Sequence, residues 1–399
     1  MPHESIRGMI YLFVFLAVLT HTSFKGSRVI VSLYAIDLGA PTVAIGLLFS
    51  MYALFPVFVS IYAGRVSDRY GARPPMILGA AGLFIGLLLP YCFPSIVTLY
   101  VSSGLIGCCY IFYTVSMQHT IGTFGSGQDR TRNYSYYALG MGLTALIGPT
   151  LTGFSIDNMG YRDTYLMLSV FPSIPLLFFI FGSRWLPRHP VQAKSEEKHR
   201  MADLLKEKPL RRALIASGIV ETGMELFNFY VPIYGRQIGL TATQIGIILG
   251  SFACAMLIVR TAMPHLVKRS SEEGVLGLSL IIGAAACLIF PMLESFHTLM
   301  GVAFLFGLGL GCASPLSMVL AYNRAPSGRS GEAMGIRQTV NKGIELVMPV
   351  VFAAVGTAFG IMAVFWSNGA LLVAGSVLMR ADANRRRKGG GAAKAPAEA

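Results

Sequence analysis

Apolar runs of about twenty residues, broken by short charged or Pro/Gly-rich stretches, recur along the whole chain. At 1.5 Å of rise per residue, such a run forms a helix long enough to cross the roughly 30 Å hydrocarbon core of a bilayer. The pattern predicts twelve helices, near 9–35, 42–64, 75–94, 97–122, 133–155, 163–183, 212–235, 243–264, 274–293, 298–322, 332–355 and 360–379. One long polar stretch, 184–212, separates the sixth from the seventh and contains the run Lys194-Ser195-Glu196-Glu197-Lys198-His199-Arg200. The expected organisation is an N-terminal six-helix bundle (1–183), a linker (184–211), a second six-helix bundle (212–380) and a disordered basic tail (381–399).

Composition agrees with the pattern. Of the 399 residues 54% are hydrophobic and only 13% charged, about half the charged share of a water-soluble domain. A soluble fold is excluded. The formal net charge of +13 raises nucleic acid as a partner, but the basic residues lie in short patches between apolar runs, not on one polar face. Arg65, Arg69, Arg73, Arg130, Arg132, the linker, Lys268, Arg269, Arg324, Arg329 and the tail run Arg385-Arg386-Arg387-Lys388 all fall on one side. The opposite loops hold chiefly Arg162 and Arg236. The positive-inside bias then places both termini and the linker in the cytoplasm, in a multi-pass protein of the inner membrane. The apolar stretch after Arg7 is too long for a cleaved signal peptide and lacks a small-x-small site.

Sliding the chain against itself by 200 residues aligns Ile45-Gly46 with Ile245-Gly246, Pro149 with Pro349 and Gly160 with Gly360. A duplicated six-helix unit follows, the halves related by a pseudo-twofold axis, which is a recurring transporter plan with the solute site between the halves. The six cysteines form no Cys-x-x-Cys pair, so zinc-ribbon and thioredoxin-like chemistry lack their spacing. There is also no phosphate loop, no His-Glu-x-x-His and no Gly-x-Ser-x-Gly, so ATP-driven pumping and the common membrane hydrolase chemistries have no residues to run on. The glycines at 307, 309 and 311 lie inside an apolar run, where close helix packing explains them. No cofactor is expected.

After the second run the chain reads Gly64-Arg-Val-Ser-Asp68-Arg69-Tyr-Gly71-Ala-Arg73. Glycines here allow a tight turn between helices. The pattern G-x-x-x-D-R-x-G-x-R after the second of twelve spans resembles the loop signature of the major facilitator superfamily. That resemblance implies two bundles rocking about a central cavity, with Asp68 helping to latch their cytoplasmic ends and Arg69 and Arg73 supporting it. The matching stretch Pro264-His-Leu-Val-Lys268-Arg269 lacks the acid, which implies an asymmetric latch. Gly148-Pro149-Thr-Leu-Thr152-Gly153 in the fifth span is similar to the Gly-Pro motif of drug/proton antiporters, with Thr152 where a second glycine is usual. Ser103 stands where those antiporters carry an arginine.

The charges within the apolar runs carry the mechanism, because an ionised side chain at mid-bilayer is costly and turns inward. His21, Lys25 and Arg28 share one face of the first helix; Glu221, Glu225 and Asn228, their images under the 200-residue repeat, share one face of the seventh. A third group, Gln338, Asn341, Lys342 and Glu345, lies on the eleventh. Two carboxylates one turn apart in a poorly hydrated space do not both ionise cheaply, so one holds a proton. Glu221, Glu225 and Glu345 are therefore the candidate proton-coupling residues. His21, Lys25, Arg28, Tyr110, Tyr113, Asn228, Tyr230, Gln338, Asn341 and Lys342 are the candidate substrate-binding residues. A permanent Lys25–Glu225 ion pair that merely orients the helices is the plainer alternative. The leading expectation is a monomeric secondary transporter exporting a small organic solute against protons. Uptake of an organic anion or zwitterion with protons is the second reading, and a membrane enzyme or channel-like protein a remote third.

Overall fold

The computed structural model describes residues 3–123, 128–182, 206–325 and 330–392. They form α1 (His3–Asp37), α2 (Thr42–Tyr70), α3 (Arg73–Cys92), α4 (Ile96–Thr123) and one long run, Gln128–Phe181. That run bends at Gly160 (φ 81°, ψ 173°), so it is two helices, α5 before the bend and α6 after it. The second half contains α7 (Lys208–Gln237), α8 (Ala242–Arg269), α9 (Glu272–Ile289), α10 (Phe296–Asn323), α11 (Ser330–Phe359) and α12 (Ile361–Ala392). Among the described residues ten helices are long and apolar enough to cross a membrane, counting the bent run once. The bend adds a crossing, and α7, lowered in mean hydropathy by its own polar residues, supplies the twelfth. The protein is an all-α membrane protein, with no strand among the described residues.

Three local expectations are revised. The fifth and sixth spans are joined by a single left-handed glycine instead of a loop. Gly64 is interior to α2, which continues to Tyr70; the turn is made at Gly71 (φ 79°). The tail expected to be disordered from 381 continues as helix to Ala392; Ala381, Ala383 and the run Arg385-Arg386-Arg387-Lys388 are good helix formers. Residues 393–399 and most of the linker lie outside the described set.

The repeat is visible in the backbone. Gly39 and Gly239, then Gly160 and Gly360, each pair 200 residues apart, have the same positive φ (76° and 82°, 81° and 84°). Contacts between the halves repeat as well. A methyl group on Gly46 would lie 2.8 Å from the Pro349 carbonyl oxygen, and one on Gly246 would lie 2.5 Å from that of Pro149. Adding 200 to one residue of the first contact and subtracting it from the other yields the second, as a pseudo-twofold axis requires. Likewise Ser50 donates to Leu346 O (2.6 Å), while Gly250 packs against Leu146.

These contacts all lie toward one end of the molecule, opposite the termini. There the Asp157 carboxylate of α5 accepts from the first amides of α8, Ala242 N (3.1 Å) and Thr243 N (2.7 Å). It thus places a negative charge at the helix N-terminus of the other bundle. Phe49 and Phe229 meet edge to face with centroids 5.3 Å apart, and one apolar cluster extends through both halves. A second cluster around Phe13, Met76, Tyr113 and Phe179 belongs to the first bundle alone. Large apolar side chains such as Phe58 (72% exposed), Phe181 (79%) and Phe359 (76%) point outward, a surface that suits lipid and not water.

The Gly307, Gly309 and Gly311 run packs α10 closely on its neighbours: Cβ atoms there would meet Phe252 O, the Gly283 backbone and Met256 Cα. All six cysteines are free thiols, with Cys109, Cys287 and Cys312 buried. Replacing Gly246 by leucine is expected to hold the two halves apart at the closed end. A cysteine at Thr150, in a background lacking the native cysteines, then reacts several-fold faster with a water-soluble maleimide. An unchanged rate shows that closure does not depend on this contact.

Candidate functional site

The polar faces of α1 and α7 meet at Arg28 and Glu225. Arg28 holds Glu225 with both terminal nitrogens, Nη2 to Oε2 at 2.6 Å and Nη1 to Oε1 at 3.3 Å. Its guanidinium also lies over the Phe49 ring, 4.8 Å from the centroid. The side chains are 11% and 3% exposed. The Lys25–Glu225 pair weighed as the plainer alternative is not formed; Arg28 takes the carboxylate instead. A planar fork matches a carboxylate at two points where an ammonium offers one.

Lys25 makes no ion pair or hydrogen bond among the described residues, and the repeat explains why. The pseudo-twofold image of Arg28–Glu225 pairs position 228 with position 25, and residue 228 is a neutral asparagine. Asn228 turns its amide to Met224 O of its own helix (2.9 Å). One half of the duplicated pair is thus an ion pair between bundles, and the other is a lysine left single.

α11 completes the cluster. Lys342 Nζ donates to both Glu345 oxygens (2.8 and 2.6 Å), as the i, i+3 spacing predicts, and the two side chains are 34% and 21% exposed. Carboxylate oxygens of Glu221, Glu225 and Glu345 lie within 4.8 Å of one another. Arg28 and Lys342 already neutralise two of these acids, so a metal ion would have to displace a side-chain cation. Glu221 differs from the other two. Its bond is to an amide, Asn341 Nδ2 to Oε2 at 3.0 Å, and no cation lies within ion-pair distance of it among the described residues. Asn341 accepts in turn from Ser217 Oγ (3.1 Å), and Ser217 from Arg337 Nη1 (3.0 Å). Sequence reasoning passed over Ser217 and gave Arg337 no specific role, although each lies one helical turn before a chosen residue.

The aromatic candidates divide. Tyr110 stacks on Phe24 (centroids 3.6 Å apart, planes at 4°) and meets His21 edge-on at 5.0 Å. His21 donates from Nδ1 to Ala17 O (2.9 Å), which leaves Nε2 to accept from Tyr137 Oη (3.3 Å). Both ring nitrogens are thereby engaged inside the first bundle. Tyr113 and Tyr230 are fully buried and donate to backbone carbonyls, Leu16 O (3.0 Å) and Phe352 O (2.9 Å), apart from the charged cluster. Gln338 is exposed. Arg260 donates from Nε to Gly311 O on α10 (3.1 Å) and reaches no acid among the described residues.

The sequence profile of the Major Facilitator Superfamily matches residues 13–344 and 213–398. The chain belongs to the major facilitator superfamily. It is 23% identical over 356 residues to the multidrug resistance protein MdtG of Salmonella paratyphi A, covering 86% of each chain. It is 24% identical over 347 residues to MdtG of Klebsiella pneumoniae, covering 84% of this chain and 81% of that one. Among solved structures it resembles the peptide transporter POT (TM-score 0.80, 13% identity, 94% of each chain). It also resembles a POT family transporter in complex with 5-aminolevulinic acid (TM-score 0.77, 15% identity, 95% and 96%). At such identities these structures establish the fold. The protein is a multi-pass membrane transporter of this superfamily, not an enzyme.

Within that family's loop signature, the side chains of Asp68 and Arg69 lie outside the described residues. Arg73 is described: Nε and Nη2 donate to Phe179 O (2.8 Å) and Ile180 O (2.9 Å), the last carbonyls of α6. It caps a helix C-terminus within its own bundle. The second half has a buried acid that the sequence comparison did not find. Glu273, 200 residues beyond Arg73, pairs with Arg324 at 2.9 Å. The Gly-Pro stretch of α5 lies at the closed end between bundles. Gly148 packs on Lys25 and Thr22 of α1, while Gly153 packs on Ala242 of α8.

Removing one partner of a buried ion pair strands the other, at a cost of about 3–5 kcal/mol. Arg28→Met or Glu225→Met is therefore expected to lower the melting temperature of the purified transporter markedly. The double substitution should recover most of the loss. A double variant no more stable than either single one would show that the pair is not what the singles disrupt.

Proposed function

We propose that this transporter exports small organic solutes in exchange for protons, with Glu221 as the carboxylate that loads and releases the proton. One observation supports this above the rest: of three clustered acids, Glu221 alone has an amide and not a cation as its bonding partner among the described residues. Glu225 and Glu345 each have a cation as partner, whereas a charge on Glu221 would stand in a poorly hydrated space with no cation at ion-pair distance among the described residues, which is unfavourable. A proton resolves the conflict, and so does a solute carrying positive charge or hydrogen-bond donors. Competition of proton and solute for one carboxylate is what exchange requires. The relatives named for multidrug resistance support export.

The basic loops support a cytoplasmic location for the end carrying the termini, with the protein in the inner membrane. Contacts between the bundles at the opposite end support a conformation open to the cytoplasm. Opening the other way requires parting Asp157 from α8 and Gly46 and Gly246 from the facing prolines. Arg28–Glu225 links the bundles close to the pivot.

The single lysine supports a second reading. Lys25 next to an available carboxylate offers complementary ends to a zwitterion, which suits proton-coupled uptake, and the POT structures share the fold. The two readings are separated in proteoliposomes, using solutes first chosen because they stabilise the purified protein thermally. Exchange accumulates solute in vesicles with an acidic lumen; uptake with protons accumulates it when the outside is acidic. Glu221→Gln is expected to abolish accumulation driven by the pH gradient while leaving solute–solute exchange in place. Undiminished gradient-driven accumulation in that variant removes Glu221 from the proton-carrying role. Lys25→Ala is expected to weaken binding of acidic solutes about tenfold, the effect of losing one charged hydrogen bond.

A further inference from the structure

Arg337 is 7% exposed, and no carboxylate lies within ion-pair distance of it among the described residues. Its Nε has no hydrogen-bond partner, and its Nη1 donates to the Ser217 hydroxyl at 3.0 Å. A buried cation without an anion is expensive, so its charge is expected to terminate on some acid. The bonds lead to one. Ser217 Oγ donates to Asn341 Oδ1 at 3.1 Å, and Asn341 Nδ2 donates to Glu221 Oε2 at 3.0 Å.

The direction of the chain follows from chemistry. A guanidinium only donates, so Ser217 accepts from it and has its own proton to give to Asn341 Oδ1. The Asn341 amide therefore faces Glu221 with its nitrogen. Every donor points from Arg337 toward the carboxylate, and bonds aligned in one sense polarise one another in a dry interior. Ser217 and Asn341 are 1% and 6% exposed, so little water screens the chain.

The other charges around Glu221 largely cancel. On its own helix is Glu225, held by Arg28 of α1; on α11 are Lys342 and Glu345, held by each other. Arg260 of α8 is turned away to Gly311. Lys25 of α1 and Arg337 of α11 remain as uncompensated positive charges, and Arg337 is the one joined to Glu221 by hydrogen bonds.

We propose that Arg337 is a positioning residue for proton transfer, acting through Ser217 and Asn341 to set the pH at which Glu221 exchanges its proton. This rests on Glu221 being the proton carrier. The test is infrared spectroscopy of the full chain in lipid vesicles, with pH varied and no solute present. The protonated-carboxyl band that disappears in Glu221→Gln reports Glu221. Arg337→Gln is expected to move the midpoint of that band upward by about one pH unit, the usual effect of losing a nearby opposite charge. Arg337→Lys restores most of the shift. Ser217→Ala, which interrupts the chain and keeps the guanidinium, moves the midpoint in the same direction by less and serves if Arg337→Gln does not fold. A band that titrates in the wild type but does not move in these variants overturns the role of Arg337 and leaves the carrier intact. No band lost in Glu221→Gln overturns the carrier and this role together.

Discussion

An arginine and a glutamate, one from each six-helix bundle, meet inside the molecule, where both side chains are largely shut off from water. Arg28 and Glu225 answer each other with two hydrogen bonds, and the arrangement of the surrounding charges depends on that pairing. Because Arg28 takes Glu225, Lys25 is left without an acid. Because Glu225 and Glu345 each take a cation, Glu221 is left with an amide as its partner among the described residues. The same low dielectric that makes these pairs strong makes each single group costly, and in the exchange proposed above that cost is what a proton or a solute relieves.

The duplicated architecture shapes this asymmetry. Where repeat-related positions carry backbone or small residues, the contacts are duplicated too: Gly46 on Pro349, and Gly246 on Pro149. Where they carry charge, the symmetry is broken on purpose-specific terms. His21, Lys25 and Arg28 correspond to Glu221, Glu225 and Asn228, so opposite charges face each other at one crossing and a lysine faces an amide at the other. Asp157 caps α8 of the partner bundle, while its counterpart Thr357 bonds Ala353 of its own helix. The frame keeps the symmetry of the repeat, and the side chains set on it break that symmetry.

Much of this was legible in the residues. Helix number and approximate bounds followed from apolar run length, since a bilayer demands about twenty apolar residues and satisfied backbone groups. The seventh helix, 212–235, was found with the rest as an apolar run between polar breaks, despite its inward-facing charges. The bend at Gly160 was visible as a repeat glycine but was read as a loop, because run length cannot distinguish a linker from one left-handed residue. Tyr113 and Tyr230 were indistinguishable in sequence from Tyr110. All three lie in apolar helices, and only packing shows that two hydroxyls end on backbone carbonyls while Tyr110 stacks beside the cluster.

Sequence by itself determined the class of molecule, the duplication and the list of ionisable groups placed inside the membrane, because these depend on composition and on spacing along one helix. Tertiary structure decided the pairings: Arg28 instead of Lys25 for Glu225, Asn341 for Glu221, and Arg337 reached through Ser217. Partner choice among groups on different helices depends on helix rotation and on separations of a few ångströms, and those quantities come into being only when the bundles pack.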